Sequence, residues 1–379
     1  MIVHVITGLA QGGAEAALFR LLAASGDPEK FHVISLSDEG VYGSRLRVLG
    51  VAVTCLRMRP GQASPLAFVR LIRLLRELHP EVVQTWMYHA DLIAGIGARA
   101  AGIPVCWGIR HSNLSPEANK RGTLRIAKLC AWLSGRIPSR IVSCSHRAAA
   151  LHQAFGYAPK FVIVPNGLDL SAFFPDARVG AKKRADLSIL QSERVIGHVG
   201  RFDAQKDYPT LLSACAKLRE LRPGFRFLLC GKDLEPNNPA LNTLIKKYML
   251  DDTVIMLGPR NDIAELMRSM DIFVLSSLGE AFPNVVTEAM ASGVPCVVTD
   301  VGDAAEIVGD TGWVVPPRDP QALALAMAEA LSETPEQRAV RGQAARKRIE
   351  EKYDIARMVT AYRQVWNDVV AQGGRACAD

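Results

Sequence analysis

The hydrophobic positions of this chain form short apolar runs that alternate with longer amphipathic stretches. The first half holds seven runs suited to buried strands: "IVHVIT", "FHVISLS", "VAVTCL", "EVVQTW", "PVCWGI", "RIVSCS" and "KFVIVP". The second half holds six: "RVIGHVGRF", "RFLLCG", "TVIMLG", "DIFVLSS", "PCVVTD" and "GWVVPP". Stretches with helical periodicity, such as "AEAALFRLLAAS", lie between them. This alternation predicts parallel sheets covered by helices on both faces.

Two series of strands predict two doubly wound, Rossmann-like α/β domains, because a single sheet of thirteen strands would be unusual. A chain of 379 residues is long enough for two such cores. The expected domains are residues 1–175 and 190–352, joined by the polar stretch 175–194. Ligands of doubly wound sheets bind at the carboxyl ends of the strands. We therefore expect the site in a cleft between two facing domains.

Charge separates the two halves. The net charge is +7, with 19 Lys/Arg against 10 Asp/Glu in residues 1–175 and 26 against 28 in the remainder. Eight basic residues lie between Arg110 and Arg147, where Glu117 is the one acid. The first half is therefore expected to attract anions.

Cysteine usage and hydropathy indicate the compartment. The cysteines are scattered singly and form no CxxC pair, which is typical of a reduced, cytosolic protein and argues against a zinc site. No apolar run approaches the ~20 residues needed to span a bilayer. The N-terminal "MIVHVITGLAQGG" lacks a basic n-region, so we interpret it as the first strand and not as a signal peptide.

Two loops that follow predicted strands carry groups suited to phosphate. In "GLAQGGAEAAL", Gly12 and Gly13 lead into a helix whose first N–H groups could face an anion, although the pattern is neither GxGxxG nor a P-loop. In "GRFDAQKDYP", Arg201 and Lys206 precede another helix start and suit a diphosphate.

A third loop, "SSLGEAFPNVVTEAMASGVP", places two glutamates on either side of a predicted helix start. Pro283 suits the first turn, and the N–H groups of Asn284, Val285 and Val286 would be unpaired there. Glu288, four residues after Asn284 on the same helical face, could accept hydrogen bonds from two neighbouring hydroxyls. Glu280 lies before the helix. A sugar nucleotide, with hydroxyls at both ends and phosphate between, would satisfy this arrangement.

The same segments resemble a known family. "GRFDAQKDYPTLL", "LGEAFPNVVTEAMASGVPCVVTDVGDAAEIV" and "GWVVPPRDPQALALAM" resemble family 4 retaining glycosyltransferases of the GT-B fold. "GGAEAAL", "IRHSN", "VSCS" and "VPNGLD" agree in the first half. "YDIARMVTAYRQVW" resembles the C-terminal helix (354–372) that in this family crosses back to the first domain.

The resemblance implies roles for the candidate residues. Arg201 and Lys206 match the basic pair on the donor diphosphate, Glu288 the glutamate on the ribose, and Glu280 the one on the transferred sugar. Matches to the remaining donor-site positions are Phe282, Pro283, Asn284 and Val285 in the turn beneath sugar and phosphate, and Gly12 and Gly13 in the glycine loop.

The first domain is less well matched. His111 lies where the family often has a histidine near the reacting sugar. Trp86 stands where related sequences often have a histidine, which leaves His89 as the neighbouring alternative. The expected catalytic set is therefore His111, Glu280, Arg201 and Lys206.

The chemistry implied is retaining transfer from a nucleotide-diphosphate sugar, with no metal and no cofactor. The chain contains no Asp-x-Asp sequence that would clamp a metal on the diphosphate. Fixed cations and helix N–H groups would then stabilise the leaving group. By the resemblance, attack occurs on the front face, and the departing phosphate oxygen helps to remove the acceptor proton.

Three alternatives remain at this stage. A UDP-sugar 2-epimerase on the same architecture would need acid/base groups at C2. A non-catalytic sugar-nucleotide sensor would not need Glu280, Glu288, Arg201 and Lys206 together. An NAD-dependent oxidoreductase would need the fingerprint glycines and a later acidic residue, which the sequence lacks.

The basic first half indicates the acceptor side. Between Thr123 and Leu133 the sequence predicts an amphipathic helix within the basic run, and "SPLAFVRLIRLLREL" adds a second basic stretch. Such helices lie well on anionic membranes. We expect peripheral attachment to the cytoplasmic membrane face, a lipid-linked or oligosaccharide acceptor for bacterial surface polysaccharide, and no nucleic-acid partner.

Overall fold

The computed structural model describes residues 1–59, 64–114 and 119–375, the last three by their backbone alone. Within these residues the chain divides into two compact units, 1–167 together with 355–375, and 168–354. Each unit contains one fully parallel sheet. These are two doubly wound domains, as the strand pattern predicted.

The described residues of the first unit form a seven-stranded sheet in the order β3-β2-β1-β4-β5-β6-β7. The strands are β1 (Ile2–Ile6), β2 (Phe31–Ser35), β3 (Ala52–Cys55), β4 (Val82–Trp86), β5 (Val105–Ile109), β6 (Arg140–Ser143) and β7 (Phe161–Ile163). The helices are α1 (Gly13–Ser25), α2 (Gly40–Val48), α3 (Pro65–Leu78), α4 (Tyr88–Ala100), α5 (Arg121–Leu133) and α6 (His146–Ala154), with a 3-10 turn at Pro28–Lys30.

Strand β1 shows why both faces of this sheet are covered. Its side chains alternate between the faces, and all five residues are buried. Ile2 and Ile6 join one apolar cluster with α1, whereas Val3 and Val5 join a second cluster with α3, α4 and α5. A strand buried on both faces is expected to be mostly apolar, and four of the five residues of β1 are, with the buried His4 as the exception.

The second unit has a six-stranded sheet in the order β10-β9-β8-β11-β12-β13. The strands are β8 (Arg194–Val199), β9 (Phe225–Cys230), β10 (Val254–Gly258), β11 (Ile272–Leu275), β12 (Cys296–Thr299) and β13 (Trp313–Val315). The helices are α7 (Ala177–Asp186), α8 (Tyr208–Leu221), α9 (Pro239–Lys247), α10 (Ile263–Arg268), α11 (Asn284–Ala291), α12 (Ala304–Val308), α13 (Pro320–Ser332) and α14 (Pro335–Lys352), with a 3-10 turn at Ala204–Lys206. Helices α8 and α13 supply much of one apolar cluster.

The last helix, α15 (Ile355–Arg375), belongs to the first unit, as the family resemblance implied. Its buried residues include Tyr362 and Trp366, which complete the apolar cluster beside α1. The Trp366 indole Nε1 donates a hydrogen bond to Gln84 Oε1 of β4 at 3.2 Å, and both groups are buried. The C-terminal helix is therefore part of the core of the first unit.

The polar stretch 175–194 differs from its prediction as a connection. Asp176 caps helix α7 within it, and the Lys183 ammonium lies 2.8 Å from carboxylates of Asp262 and Glu265. Because these ion pairs and the capped helix hold the stretch on the second unit, the boundary lies at Gly167 and Leu168. The units therefore differ at this point from the expected ranges 1–175 and 190–352.

Two further sequence expectations concern thiols and membrane spans. The cysteines at 106, 130, 144, 215, 230 and 296 are buried and Cys55 is partly buried, while Cys377 lies outside the described residues. Among the helices the structure describes, none combines the length and apolar character needed to cross a bilayer.

Candidate active site

The donor-site candidates of the second unit lie in the loops that follow β8 and β11. These strands are neighbours in the sheet, with Phe273 paired to Gly197. Their following loops therefore meet at the carboxyl edge, although Lys206 and Glu280 are 74 residues apart in the chain. This is the edge at which doubly wound domains bind ligands.

Lys206 and Glu280 form a close ion pair. The Lys206 Nζ lies 2.5 Å from Glu280 Oε1, and the two side chains are 15% and 14% exposed. The Ser277 hydroxyl donates a second hydrogen bond to the same carboxylate oxygen at 2.7 Å. The cation predicted for the diphosphate and the carboxylate predicted for the sugar thus share one site.

Several hydrogen bonds fix the two loops relative to each other. The Ser276 hydroxyl donates to the Lys206 carbonyl at 2.7 Å, and the Leu278 N–H donates to the Gln205 carbonyl at 2.7 Å. The Gln205 amide also donates to the Gly279 carbonyl. These contacts hold the loop that carries Lys206 against the loop that carries Glu280.

Arg201 is placed differently from Lys206. Its side chain is 67% exposed, and its Nη2 atom lies 3.3 Å from Asp203 Oδ2. Asp203 also caps the 3-10 turn that carries Lys206, through the Gln205 and Lys206 N–H groups. The structure thus brings Lys206 to Glu280, while Arg201 pairs within its own loop.

Helix α11 begins at Asn284, directly after Pro283, which the sequence predicted to lie in the first turn. The Val286 N–H, predicted to be unpaired, instead donates to the Pro283 carbonyl at 3.0 Å. Pro283 is its N-cap and provides no side-chain cap, and Val285 and Glu288 are both half-buried within the helix. Asn284 opens the helix four residues before Glu288, so the two share a face. Phe282 is buried, and its ring packs edge-on against Tyr353 at a centroid distance of 5.5 Å.

The loop after β12 closes against the Glu280 turn. Gly302 has a φ of +51°, and a Cβ placed there would lie 1.9 Å from the Glu280 carbonyl oxygen. The Asp303 N–H donates to the Ala281 carbonyl at 3.3 Å. Only glycine permits so close an approach at this position, so this loop helps to set the shape of the Glu280 turn.

His198 was not among the predicted site residues. It is fully buried in β8, and its Nδ1–H donates to the Val274 carbonyl at 2.9 Å, which leaves Nε2 as an acceptor with no partner among the described residues. Burial lowers its pKa to about 4, so the ring is neutral at pH 7. A Cβ at Gly200 would lie 3.1 Å from this Nε2 and 3.4 Å from Lys206 Cε.

His198 therefore lies beneath the Lys206 loop. A single histidine in an apolar strand is typical of a core position. Apart from the neighbouring glycine, nothing in the sequence around His198 indicated a site residue.

In the first unit, Gly12 and Gly13 occupy the predicted helix start. Gly12 is the N-cap of α1 and Gly13 its first residue, and a Cβ at Gly13 would meet no atom within 4 Å. Glu15 lies in the first turn, and burial raises the pKa of its carboxyl. The loop is open around Gly13, as close approach of a ligand would require.

The two candidate histidines lie after neighbouring strands of the first sheet. His111 follows β5, and its Nε2–H donates to Asn119 Oδ1 at 3.0 Å. His89 follows β4 as the second residue of α4, where partial burial lowers its pKa. The Tyr88 ring, next to His89 in the chain, packs edge-on to His111 at a centroid distance of 6.3 Å.

Trp86, which by the resemblance stands where related sequences often have a histidine, packs against a cation. Its ring is buried, and the guanidinium carbon of Arg110 lies 4.5 Å from the ring centroid. Arg110 Nη1 donates to Asn166 Oδ1 at 2.5 Å, and Nη2 donates to the Tyr362 hydroxyl. The sequence did not distinguish Arg110 from the other charges of the basic run. Its partners lie up to 252 residues away in the chain, so only the fold reveals them.

Comparison with known families covers both units. A model described as Glycosyltransferase Family 4 matches residues 2–172, and one described as Glycosyl transferases group 1 matches residues 180–348. The Bacillus subtilis (strain 168) protein EpsF, which carries a glycosyltransferase name, is 30% identical over 311 residues, or 79% of each chain. This chain belongs to glycosyltransferase family 4.

Other relatives of this glycosyltransferase have more specific names. An Escherichia coli protein named UDP-Gal:alpha-D-GlcNAc-diphosphoundecaprenol alpha-1,3-galactosyltransferase is 26% identical over 245 residues, or 62% of each chain. A Rhizobium meliloti (strain 1021) lipopolysaccharide core biosynthesis mannosyltransferase, LpsB, is 28% identical over 201 residues, covering 50% of this chain and 57% of the relative.

Solved structures agree on the fold. The crystal structure of Anabaena HepE in complex with UDP superposes with a TM-score of 0.86 at 22% identity, over 97% of this chain and 99% of the other. The HepE complex with UDP-glucose gives a TM-score of 0.84 at 22% identity, over 97% and 100%.

Proposed function

We propose that this glycosyltransferase moves a sugar, with retention of configuration and without a metal, from a UDP-sugar to a lipid-linked glycan acceptor in bacterial surface polysaccharide biosynthesis. The observation that carries the donor side is the Lys206–Glu280 ion pair at the carboxyl edge of the second sheet. It places one cation and one carboxylate beside the start of α11, where a sugar diphosphate needs both.

On the donor side, Lys206 would stabilise the diphosphate that accumulates charge as the glycosidic bond breaks. Glu280 would accept hydrogen bonds from hydroxyls of the transferred sugar, and Glu288 would accept them from the ribose. Arg201 would turn from Asp203 to the diphosphate, which its 67% exposure allows. The Phe282–Val285 turn would lie beneath sugar and phosphate.

The acceptor proton would leave with the departing phosphate oxygen. The bond between the anomeric carbon and this oxygen breaks, the acceptor oxygen attacks from the same face, and its proton passes to the phosphate. His111 or His89 would contact the reacting sugar from the first unit. Family membership supports a transferase over the epimerase and oxidoreductase alternatives.

The proposed mechanism uses no metal ion. In the described parts of the chain, no group of three or more His, Cys, Asp or Glu side chains could hold a metal ion. Lys206 and the N–H groups at the start of α11 would stabilise charge instead, as fixed groups that need little rearrangement during the reaction.

The acceptor side is supported by a basic and apolar surface on the first unit, formed by α3, α4 and α5. These helices pack side by side against the same face of the sheet. Leu66 on α3 is 85% exposed, and Trp132 on α5 is 68% exposed. Basic residues on this surface are Arg70, Arg73, Arg76, Arg99, Arg121, Arg125 and Lys128.

Apolar side chains among cations suit an anionic membrane. On α5, Leu129 and Trp132 are exposed, whereas Ala127 is buried against α4. Glu117 lies outside the described residues. We therefore infer peripheral attachment to the inner face of the cytoplasmic membrane. The E. coli relative named for a diphosphoundecaprenol acceptor supports the same class of substrate.

The donor is tested by thermal shift with a panel of nucleotide sugars, because a true donor stabilises the folded chain by mass action. UDP-sugars are expected to raise Tm more than GDP-sugars at equal concentration. The selected donor is then incubated with GlcNAc-diphospho-alkyl acceptors, with and without excess EDTA, and the anomeric configuration of the product is read by NMR.

Transfer with retention, and equal rates with EDTA, are the expected results. An inverted product, or loss of activity that Mg²⁺ restores, would contradict the mechanism. Release of UDP without any acceptor would favour an epimerase-like reaction instead.

A further inference from the structure

Arg110 is a half-buried cation at the carboxyl end of β5, and its hydrogen-bond partners are neutral. Nη1 donates to the Asn166 side-chain oxygen and Nη2 to the Tyr362 hydroxyl. Across residues 1–59, 64–114 and 119–375, no carboxylate forms an ion pair with it. A partly desolvated charge without a counter-charge is costly, so this arrangement favours an anionic ligand.

The position of the guanidinium is fixed by an aromatic platform. It lies 4.5 Å from the ring centroid of Trp86 and 5.9 Å from that of Tyr362. Trp86 is itself held by a hydrogen bond from its Nε1 to His4 Nδ1 at 3.1 Å. Burial keeps the pKa of His4 well below its ordinary value, so His4 remains the neutral acceptor that this bond requires.

The guanidinium has donors to spare. It carries five N–H groups, of which the bonds to Asn166 and Tyr362 use two. Its Nε has no partner among the described residues. Because arginine binds phosphate through two parallel N–H groups, the remaining donors fit a phosphate better than a single carbonyl.

Backbone strain marks the same place independently. Met87, directly after Trp86, has φ of 73° and ψ of 157°, a conformation that almost only glycine adopts. Its N–H donates to the Gly108 carbonyl of β5 at 2.9 Å, which ties the strained turn to the strand that precedes Arg110. Such strain persists where the surrounding structure enforces it, and it clusters at ligand sites.

We propose that Arg110, on the Trp86 platform, binds a phosphate of the acceptor, and that this enzyme therefore selects acceptors whose sugar is joined to a lipid through a phosphate or diphosphate. This inference rests on the proposed transferase function and adds the group by which the acceptor is recognised. Trp86, which by the resemblance stands where related sequences often have a histidine, would then support the arginine.

The test is a calorimetric titration of decyl diphosphate into the full chain, with saturating UDP and without it. UDP fills the donor site, so binding that persists in its presence reports a second diphosphate site. We expect wild-type binding in both conditions. Arg110→Met should weaken it by about tenfold to a hundredfold, the usual worth of a hydrogen-bonded charge. Arg110→Lys, which keeps the charge but not the paired donors, should fall between.

Two variants separate binding from structure. Arg357→Met removes an exposed arginine from α15 and should bind as the wild type does. Tyr362→Phe removes the partner of Nη2 but keeps the charge, so it should weaken binding less than Arg110→Met. A merely structural role for Arg110 would instead make Tyr362→Phe and Arg110→Lys lower Tm alike and leave decyl diphosphate binding by the folded protein unchanged.

Equal affinity in Arg110→Lys and wild type would overturn the inference, as would complete loss of decyl diphosphate binding when UDP is present. The proposed function has a separate failure: no UDP-sugar binding and no transfer. If decyl diphosphate binding still depended on Arg110 in that case, the anion site would stand and the proposed transferase function would be wrong.

Discussion

The Lys206 ammonium and the Glu280 carboxylate lie 2.5 Å apart at the carboxyl edge of the second sheet, each about 85% buried. The pair joins the two loops that we propose as the donor site. A donor diphosphate would compete with Glu280 for the same cation, and the sugar would compete with Lys206 for the same carboxylate. Under this proposal each residue would hold the other in position until the donor replaces the contact.

Lys206→Ala should lower turnover by about 10²–10³, the usual cost of removing one preorganised charge-stabilising group. The exposed Lys246 of α9 provides the control, and Lys246→Ala should retain wild-type turnover. Initial rates with the donor selected by thermal shift measure both. Near-normal turnover in Lys206→Ala would exclude its role on the diphosphate.

The ion pair also makes a prediction about stability. Lys206→Ala and Glu280→Ala each leave one partly buried charge without its partner, so each should lower the free energy of unfolding. The double variant should lose less than the sum of the two, with a coupling of about 0.5–3 kcal/mol. Urea unfolding of the four proteins measures it, and strict additivity would show that the pair has no energetic consequence.

Glu288 and Glu280 should act on different parts of the donor. Glu288→Ala should weaken UDP binding about tenfold or more, because a charged acceptor for the ribose hydroxyls is lost. Glu280→Ala should leave UDP affinity within about threefold and lower turnover, since its proposed contact is the sugar. Calorimetry with UDP and with the UDP-sugar distinguishes them. The same loss of UDP affinity in both variants would contradict this division.

Ser277 is predicted to position Glu280. Its hydroxyl donates to the carboxylate at 2.7 Å, and Ser277→Ala should lower turnover about tenfold, as expected for one hydrogen bond to a charged group. UDP affinity should not change. Ser332→Ala, which removes an exposed hydroxyl bonded to the Glu329 carbonyl, is the matched control. An unchanged turnover in Ser277→Ala would remove Ser277 from the site.

Asp91 should make stability depend on pH. Its Oδ1 lies 2.5 Å from the Thr85 hydroxyl and accepts from the Gly108 N–H, and burial raises its pKa to about 8. Between about pH 4 and 8 the folded chain keeps this proton while the unfolded chain, at its ordinary value of 3.8, releases it. The contribution of Asp91 to stability is therefore present at low pH and is lost as the pH rises through this window.

Asp91→Asn should remove this pH dependence of the free energy of unfolding. Its slope corresponds to a difference of about one bound proton between the folded and unfolded chains. Urea unfolding at a series of pH values measures it, and Asp251→Asn, on the exposed surface, should behave as the wild type does. A profile for Asp91→Asn parallel to the wild-type profile would show that Asp91 is ionised in the folded state.

The basic helices should bind anionic vesicles at low salt. Lys120, Arg121, Arg125 and Lys128 are exposed, and their replacement by Glu should abolish binding, since each contributes about 1 kcal/mol near such a surface. Replacing Lys182, Lys217, Lys246 and Lys247 of the second unit changes the net charge equally and should not. Co-sedimentation measures both. No binding by wild type at low salt would favour an acceptor in solution.

The sequence predicted the thirteen strands of the described residues because strands of parallel sheets buried on both faces are mostly apolar. It did not predict helix α7, whose sequence is polar and whose attachment depends on ion pairs to α10. Local motifs indicated Lys206 and Glu280 separately. Their direct contact depends on β8 lying beside β11, a property of strand order that no local motif contains.

Dependence on the folded chain also explains why the sequence did not single out Arg110 and His198. Arg110 meets Tyr362 across 252 residues, so only the folded chain distinguishes it from the other charges of the basic run. His198 has the sequence environment of an ordinary core residue, and its position beneath Lys206 depends on how the β8 loop folds back.

Helix α15 imposes an order on the synthesis of the protein. Residues 168–354 form a continuous unit, whereas the first unit needs Met358, Tyr362 and Trp366 to cover one face of its sheet. During translation the second unit can therefore finish folding while the first, although it emerges earlier from the ribosome, still exposes Trp86 and its apolar neighbours. The part of the enzyme made first is completed last, and its uncovered apolar face is a transient aggregation hazard in each new chain.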